Sequence, residues 1–108
     1  FQFYAGDSSF EAIDALDAKK LFILHINDAE DLPKGQLNDS KRLYPGLGIL
    51  PLSKIREHLD GIGYDGPASI EIFRPEYWDD DPYEVSKRAK DSAERAFGLG
   101  KYAAGGTW

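Results

Sequence analysis

Cysteine and methionine are both missing from the 108 residues. Without cysteine there is no disulfide framework and no thiolate metal site. Without methionine the chain has no translation start of its own, and it opens Phe1-Gln2-Phe3-Tyr4. It is therefore expected to have been processed, trimmed or cut from something longer. No apolar run approaches the roughly 18 residues of a spanning helix, and no signal peptide is visible. A cytoplasmic protein without a membrane partner is the expectation. Basic residues are the minority: 13 Lys and Arg against 19 Asp and Glu give a net charge of -6 and a pI near 4.8. That balance argues against general binding to nucleic acid or to anionic membrane. With 42% hydrophobic and 30% charged residues, what is left is the composition of one small folded domain.

The most informative stretch is Pro67 to Pro75, Pro-Ala-Ser-Ile-Glu-Ile-Phe-Arg-Pro. Ala68, Ile70 and Ile72 alternate with Ser69, Glu71 and Phe73, the pattern of a strand. Gly63-Tyr64-Asp65-Gly66-Pro67 supplies the turn that starts it, and Pro75 cannot continue its ladder. Glu71 thus sits near the carboxyl end of a short apolar strand. A carboxylate buried there needs a metal, a cation or a proton, because an unpartnered charge costs several kcal/mol. The alternative is a strand face left open to water.

Taken in order, Phe1 to Ala5 alternates aromatic and polar residues, like the tail of a strand or the loop after one. A capping box of Ser8 and Glu11 then opens a helix expected from about Ser9 to Ala18, with Phe10, Ile13 and Leu16 on its apolar stripe. Leu21 to Ile26 is a continuous apolar run of strand length, which fits a strand covered on both faces. His25 interrupts it at its carboxyl end; a lone histidine there is by default a core residue with one hydrogen bond. Between Asn27 and Leu50 no helix or strand pattern stands out, and so long a loop is usually functional or mobile. It carries Asp28, Glu30, Asp31, Asp39, Lys41, Arg42 and the glycines of Pro45-Gly46-Leu47-Gly48.

A second helix follows over 52–62, with Leu52, Ile55, Leu59 and Ile62 at spacings of three and four. His58 lies at the border of that stripe and reads as a surface residue. After the Glu71 strand and an acidic aromatic loop, a third helix opens with Asp81 as cap, Pro82 and Glu84. Val85, Ala89, Ala93, Ala96 and Phe97 form its buried stripe and Gly98 stops it. The segment from 98 to 108 is expected to be a flexible tail.

Helix, strand, helix, strand, helix is a βα repeat, whose connections require parallel strands. Functional residues in such folds gather at the carboxyl ends of the strands. His25 and Glu71 both sit there, on successive strands, with a nitrogen and an oxygen suited to a divalent metal.

These residues also form an ordered series of motifs. His25-Ile26-Asn27-Asp28, Arg42 with Pro45-Gly46-Leu47-Gly48-Ile49, Gly63-Tyr64-Asp65-Gly66, and Ser69-Ile70-Glu71-Ile72-Phe73-Arg74-Pro75-Glu76-Tyr77-Trp78 together resemble the sugar phosphate isomerase/epimerase family. Its members are xylose-isomerase-like TIM barrels related to endonuclease IV. The resemblance runs from Phe1 to about Phe97 and implies an α/β fold: about two βα units plus a preceding helix, from the carboxyl-terminal part of a (β/α)8 barrel. It further implies that His25 and Glu71 are two of four ligands to one divalent metal ion (Mn, Co, Zn or Mg), the other two lying upstream of Phe1. Glu71 would also be catalytic, while Arg42 and Arg74 would contact substrate oxygens. A histidine common in the family at the position of Gln2 is absent, so substrate contacts depart from the pattern there.

The implied function is a metal-dependent isomerase or epimerase of an inosose or other keto-sugar or polyol, working by proton transfer through a metal-stabilised enediolate. A superfamily lyase, such as a dehydroshikimate or inosose dehydratase, shares that chemistry, and a non-catalytic remnant or binding module is the third reading. The chain alone is expected to be inactive, and either to self-associate or to need the missing upstream part of the barrel.

Overall fold

The computed structural model describes residues 1–98. Two short helices come first, α1 (Gln2–Ala5) and α2 (Phe10–Asp14). The strand tail expected over Phe1 to Ala5 is therefore a helical turn. Helical spacing lets Phe1, Phe3 and Tyr4 all pack on the core, which alternation would not allow. α2 is also shorter than expected. Ser9, not Ser8, occupies its cap and makes no side-chain bond there. Downstream, Asp17 accepts the Lys19 N–H at 3.0 Å and starts a separate 3-10 turn, Ala18–Lys20. A short acidic side chain offers the backbone this alternative to continuing a helix. Ile13 is buried, whereas Leu16 is 47% exposed.

β1 (Leu24–Ile26) is half the length of the apolar run that contains it. Phe22 and Ile23 are exposed, so the expectation of a strand covered on both faces from Leu21 is corrected. The partner strand explains why. β1 pairs in parallel with a strand that begins at Ala68, opposite Leu24, and the preceding Pro67 has no N–H to extend the ladder. Pro67 contributes only its carbonyl, which accepts from Leu24 N at 3.1 Å.

The long loop has more order than its sequence suggested. β2 (Asp28–Ala29) pairs antiparallel with β3 (Arg42–Leu43), and 3-10 turns occupy Lys34–Gln36 and Asp39–Lys41. Its anchor is Asp28, 1% exposed. One carboxylate oxygen accepts from Ala29 N and Leu50 N, each at 2.9 Å, and the other from Gly46 N at 2.8 Å. Three backbone donors on one carboxylate fold the 45–50 segment back onto β2. Gly48 makes that approach feasible, since a Cβ there would lie 2.0 Å from the Ala29 carbonyl oxygen.

α3 (Leu52–Gly61) is the crossover that returns the chain to β4 (Ala68–Ile70). Leu52 and Leu59 are buried, with Ile55 and Ile62 packed beside them. Pro51 is its N-cap. His58 was expected at the surface; its ring stacks on Phe10 at 4.8 Å and its Nδ1 lies 2.7 Å from Asp14 Oδ1, tying α3 to α2. Gly63, at φ 78°, takes the left-handed turn that ends this unit.

α4 (Pro82–Ala96) starts as its sequence requires: Asp81 accepts from Tyr83 N at 3.2 Å and Pro82 fills the first position. Ala89, Ala93 and Phe97 are buried, and the helix packs on β4. Gly98, at φ 76°, follows it. The tail expected beyond lies outside the described residues. Among the described residues no helix is long and apolar enough to cross a membrane.

Candidate active site at the strand ends

The parallel ladder sets the site. Leu24 faces Ala68, His25 faces Ser69 and Ile26 faces Ile70. The Glu71 N–H donates to the Ile26 carbonyl at 3.2 Å, so the ladder carries one bond past β4 and fixes the Glu71 backbone beside the end of β1. Its carboxylate then meets His25: Nδ1 and Oε2 are 2.6 Å apart. The His25 side chain is 49% exposed and that of Glu71 27%, so this is a partly open pair and not a core histidine.

Arg42 stands on the other side of Glu71. Its Nη1 donates to Glu71 Oε1 at 2.8 Å and to the Glu71 carbonyl at 3.3 Å, while Nη2 donates to Asp39 Oδ1 at 2.7 Å. Local sequence prepares this contact. Asn38 accepts from Ser40 N at 3.0 Å and caps the 3-10 turn Asp39–Lys41, which aims Asp39 at the residue three positions on. Pairing of Arg42 with Ala29 in the β2–β3 ladder then holds the arginine backbone. Phe1 and Phe73 lie against its guanidinium, with ring centroids 4.8 and 5.2 Å away. Asn27, 2% exposed, donates from Nδ2 to the Glu71 carbonyl at 2.9 Å. Among the described residues, two buried polar atoms of this cluster, Arg42 Nε and Asn27 Oδ1, find no hydrogen-bond partner.

Arg74 is placed apart. Its Nη1 donates to Glu30 Oε2 at 2.8 Å and to the Ser40 carbonyl at 3.4 Å, and its Nε lies 3.2 Å from Glu76 Oε2. The Arg74 hydrogen bond holds the Glu30 carboxyl below the usual carboxylate range, and Glu30 in turn raises the Arg74 guanidinium further. Of the residues singled out in the sequence, His25, Arg42 and Glu71 thus come together, and Arg74 joins the neighbouring loop to the turn after β4. Sequence reasoning missed Asn27 and gave no role to Asp39. A clue to the first was an amide directly following an apolar strand; to the second, a carboxylate three residues before an arginine.

Among the described residues no three His, Asp or Glu side chains converge as a metal site. The donors present are one imidazole and one carboxylate, a pair that suits a borderline divalent ion but fills only half of a four-coordinate shell.

Parallel strands joined through a helix, a further helix returning over the sheet, and polar side chains collected at the strands' carboxyl ends make a βαβα unit of the kind a (β/α)8 barrel repeats. The family model described as xylose isomerase-like TIM barrel matches residues 1–96, and the chain belongs to that family. Among individual relatives, it is 42% identical over 94 residues to the inosose isomerase of Bacillus velezensis, covering 87% of this chain and 34% of that protein. To the inosose isomerase of Halalkalibacterium halodurans it is 41% identical over 92 residues, covering 85% and 33%. Of solved structures, the IolI protein with a bound zinc atom superposes with a TM-score of 0.86 at 37% identity, over 92% of this chain and 36% of that one. A xylose isomerase domain protein from Alicyclobacillus acidocaldarius gives 0.76 at 27% identity, over 92% and 35%. The chain spans about a third of the length of these relatives. Its fold is part of a TIM barrel, about two βα units with the helix that precedes them.

Proposed function

We propose that these residues are the carboxyl-terminal third of a divalent-metal-dependent isomerase or epimerase acting on an inosose or related keto-sugar. The observation that carries this reading is the His25–Glu71 pair, 2.6 Å apart at the ends of adjacent parallel strands. Similarity to inosose isomerases and to a zinc-bound structure supports it. His25 and Glu71 would hold the metal together with donors from outside this chain. When bound, such an ion supplies Lewis acidity toward the oxygens of a hydroxy-ketone.

The chain's own part in the chemistry centres on Glu71. A carboxylate beside the substrate accepts the proton from the carbon next to the carbonyl, the C–H electron pair forming the enediolate. Return of a proton to the neighbouring carbon, with the hydroxyl proton passing to the former carbonyl oxygen, moves the carbonyl; return of a proton to the opposite face of the same carbon epimerises. Arg74, whose side chain is 18% exposed, has surface left for a substrate oxygen. Arg42, 1% exposed, has little.

The test is to incubate the complete protein with an inosose in D2O and follow product and label by NMR. Isomerised or epimerised product with deuterium at the exchanged carbon is expected, and Glu71→Gln should abolish both. Loss of water from the substrate would assign a dehydratase instead. No exchange with any inosose or keto-sugar would defeat the enzymatic reading.

A further inference from the structure

The two oxygens of the Glu71 carboxylate have different surroundings. Oε2 faces His25 Nδ1 at 2.6 Å, on the side where the His25 ring is half exposed. Oε1 faces inward and accepts from Arg42 Nη1 at 2.8 Å. The main chain is gripped at the same point, its carbonyl accepting from Asn27 Nδ2 at 2.9 Å and from Arg42 Nη1 at 3.3 Å.

Arg42 is enclosed in a way that suits holding rather than capture. It is 1% exposed, and its second terminal nitrogen is already committed to Asp39 at 2.7 Å. Phe1 and Phe73 lie against the guanidinium and exclude water from it. A buried guanidinium persists only with anionic partners, and a planar fork between two carboxylates fixes its own orientation as well as theirs. The fork, in turn, is located by the β2–β3 ladder and by the Asn38-capped turn that presents Asp39.

We propose that Arg42 is a positioning residue. It ties down Oε1 so that Glu71 offers the single oxygen Oε2 toward His25, while Asn27 pins the backbone that carries it. This rests on the proposed role of His25 and Glu71 in metal binding and proton transfer. A carboxylate ligand is itself held by hydrogen bonds from an outer layer, and loss of such a partner lowers metal affinity without removing a ligand.

The experiment measures zinc affinity by chelator competition, with kcat and KM on an inosose, for the complete protein and its variants. Arg42→Gln is expected to weaken zinc binding by about tenfold or more. It should lower kcat comparably and change KM by less than about twofold, as expected for an interaction that acts through Glu71 rather than on substrate. Arg42→Lys should recover part of both losses, since one ammonium reaches Oε1 but cannot also keep Asp39 and the carbonyl. Asp39→Asn should move both readouts the same way by less. Asp39 is 65% exposed in its side chain, so this variant keeps the test alive if Arg42→Gln folds poorly.

A raised KM with unchanged zinc affinity in the Arg42 variants would make the residue a substrate contact and overturn the proposal. Unchanged zinc affinity and kcat in both Arg42→Lys and Asp39→Asn would overturn it as well. Glu71→Gln separates the two levels. Zinc binding lost there but kept in every Arg42 and Asp39 variant overturns positioning alone; zinc binding unaffected by Glu71→Gln, or absent from the parent, removes the metal reading and the proposal with it.

Discussion

His25 and Glu71 meet because Ile26 and Ile70 lie side by side in a parallel ladder, which brings His25 Nδ1 within 2.6 Å of Glu71 Oε2. Glu71 lies just beyond that last paired residue, held by its bond to the Ile26 carbonyl. A one-residue slip of register would turn Glu71 to the other face of the sheet and dissolve the pair. The site therefore depends on the strand pairing, and the strand pairing on the α3 crossover.

Close packing around Asp28 gives a sharp stability test. A Cβ at Gly48 would lie 2.0 Å from the Ala29 carbonyl oxygen and 2.6 Å from Asp28 Oδ1. Gly48→Ala should therefore destabilise the protein by about 1–3 kcal/mol, the usual cost of overpacking a tight site. At Gly35 nothing among the described residues lies within 4 Å of the same position. Gly35→Ala should stay within about 0.5 kcal/mol of the parent, as surface changes do. Urea unfolding of the two variants measures the difference; equal stabilities would contradict the packing described here.

Glu30 gives a pH test. Its hydrogen bond from Arg74 depresses the folded-state carboxyl below its ordinary value of 4.5. A depressed carboxyl contributes stability that is present above the unfolded value and lost as pH falls through the folded one. The melting temperature of Glu30→Gln should thus lie below that of the parent at neutral pH. The two should converge as pH drops below 4.5 and through the lower folded value. A gap that persists in acid would remove the Arg74–Glu30 bond as its source.

The 108 residues alone should associate. Among the described residues β1 and β4 form a two-stranded sheet, so each has one edge without a strand partner there. Phe22 and Trp78 are 79% and 71% exposed, and a cleft of about 410 Å³ beside β4 is lined by Ile70, Ile72, Val85 and Ala89. Unpaired edges next to apolar surface template association. Sedimentation velocity on the isolated chain should show concentration-dependent oligomers, with weak zinc binding and no inosose turnover. A cooperatively folding monomer that turns over substrate would contradict this.

Much of this architecture was legible in the sequence. The βαβ order, the parallel pairing, the Asp81-Pro82 helix start and the placement of His25 and Glu71 at strand ends all follow from periodicity and turn chemistry, which act locally. What was not legible depends on distant partners. The Leu21 to Ile26 run reads as a full strand because nothing local reveals that Pro67 ends the ladder beside it. Among the loop carboxylates, Asp28 is buried and Asp31 exposed, yet the two are alike as letters. The partners of Arg42 were not legible either, since Glu71 and Asp39 converge on it only once β3 folds against the end of β4.

The central claim is that His25 and Glu71 are two ligands of one metal, and zinc calorimetry on the complete protein tests it most directly. Glu71→Gln preserves volume and an oxygen that can still accept from Arg42, so folding should survive. The parent is expected to bind one zinc, and Glu71→Gln and His25→Ala should each weaken binding by more than about a hundredfold, beyond the loss of an outer-layer partner. Melting of the zinc-free proteins should change little. Unaltered zinc affinity in Glu71→Gln, or a His25→Ala protein that loses stability while keeping its zinc, would contradict the account.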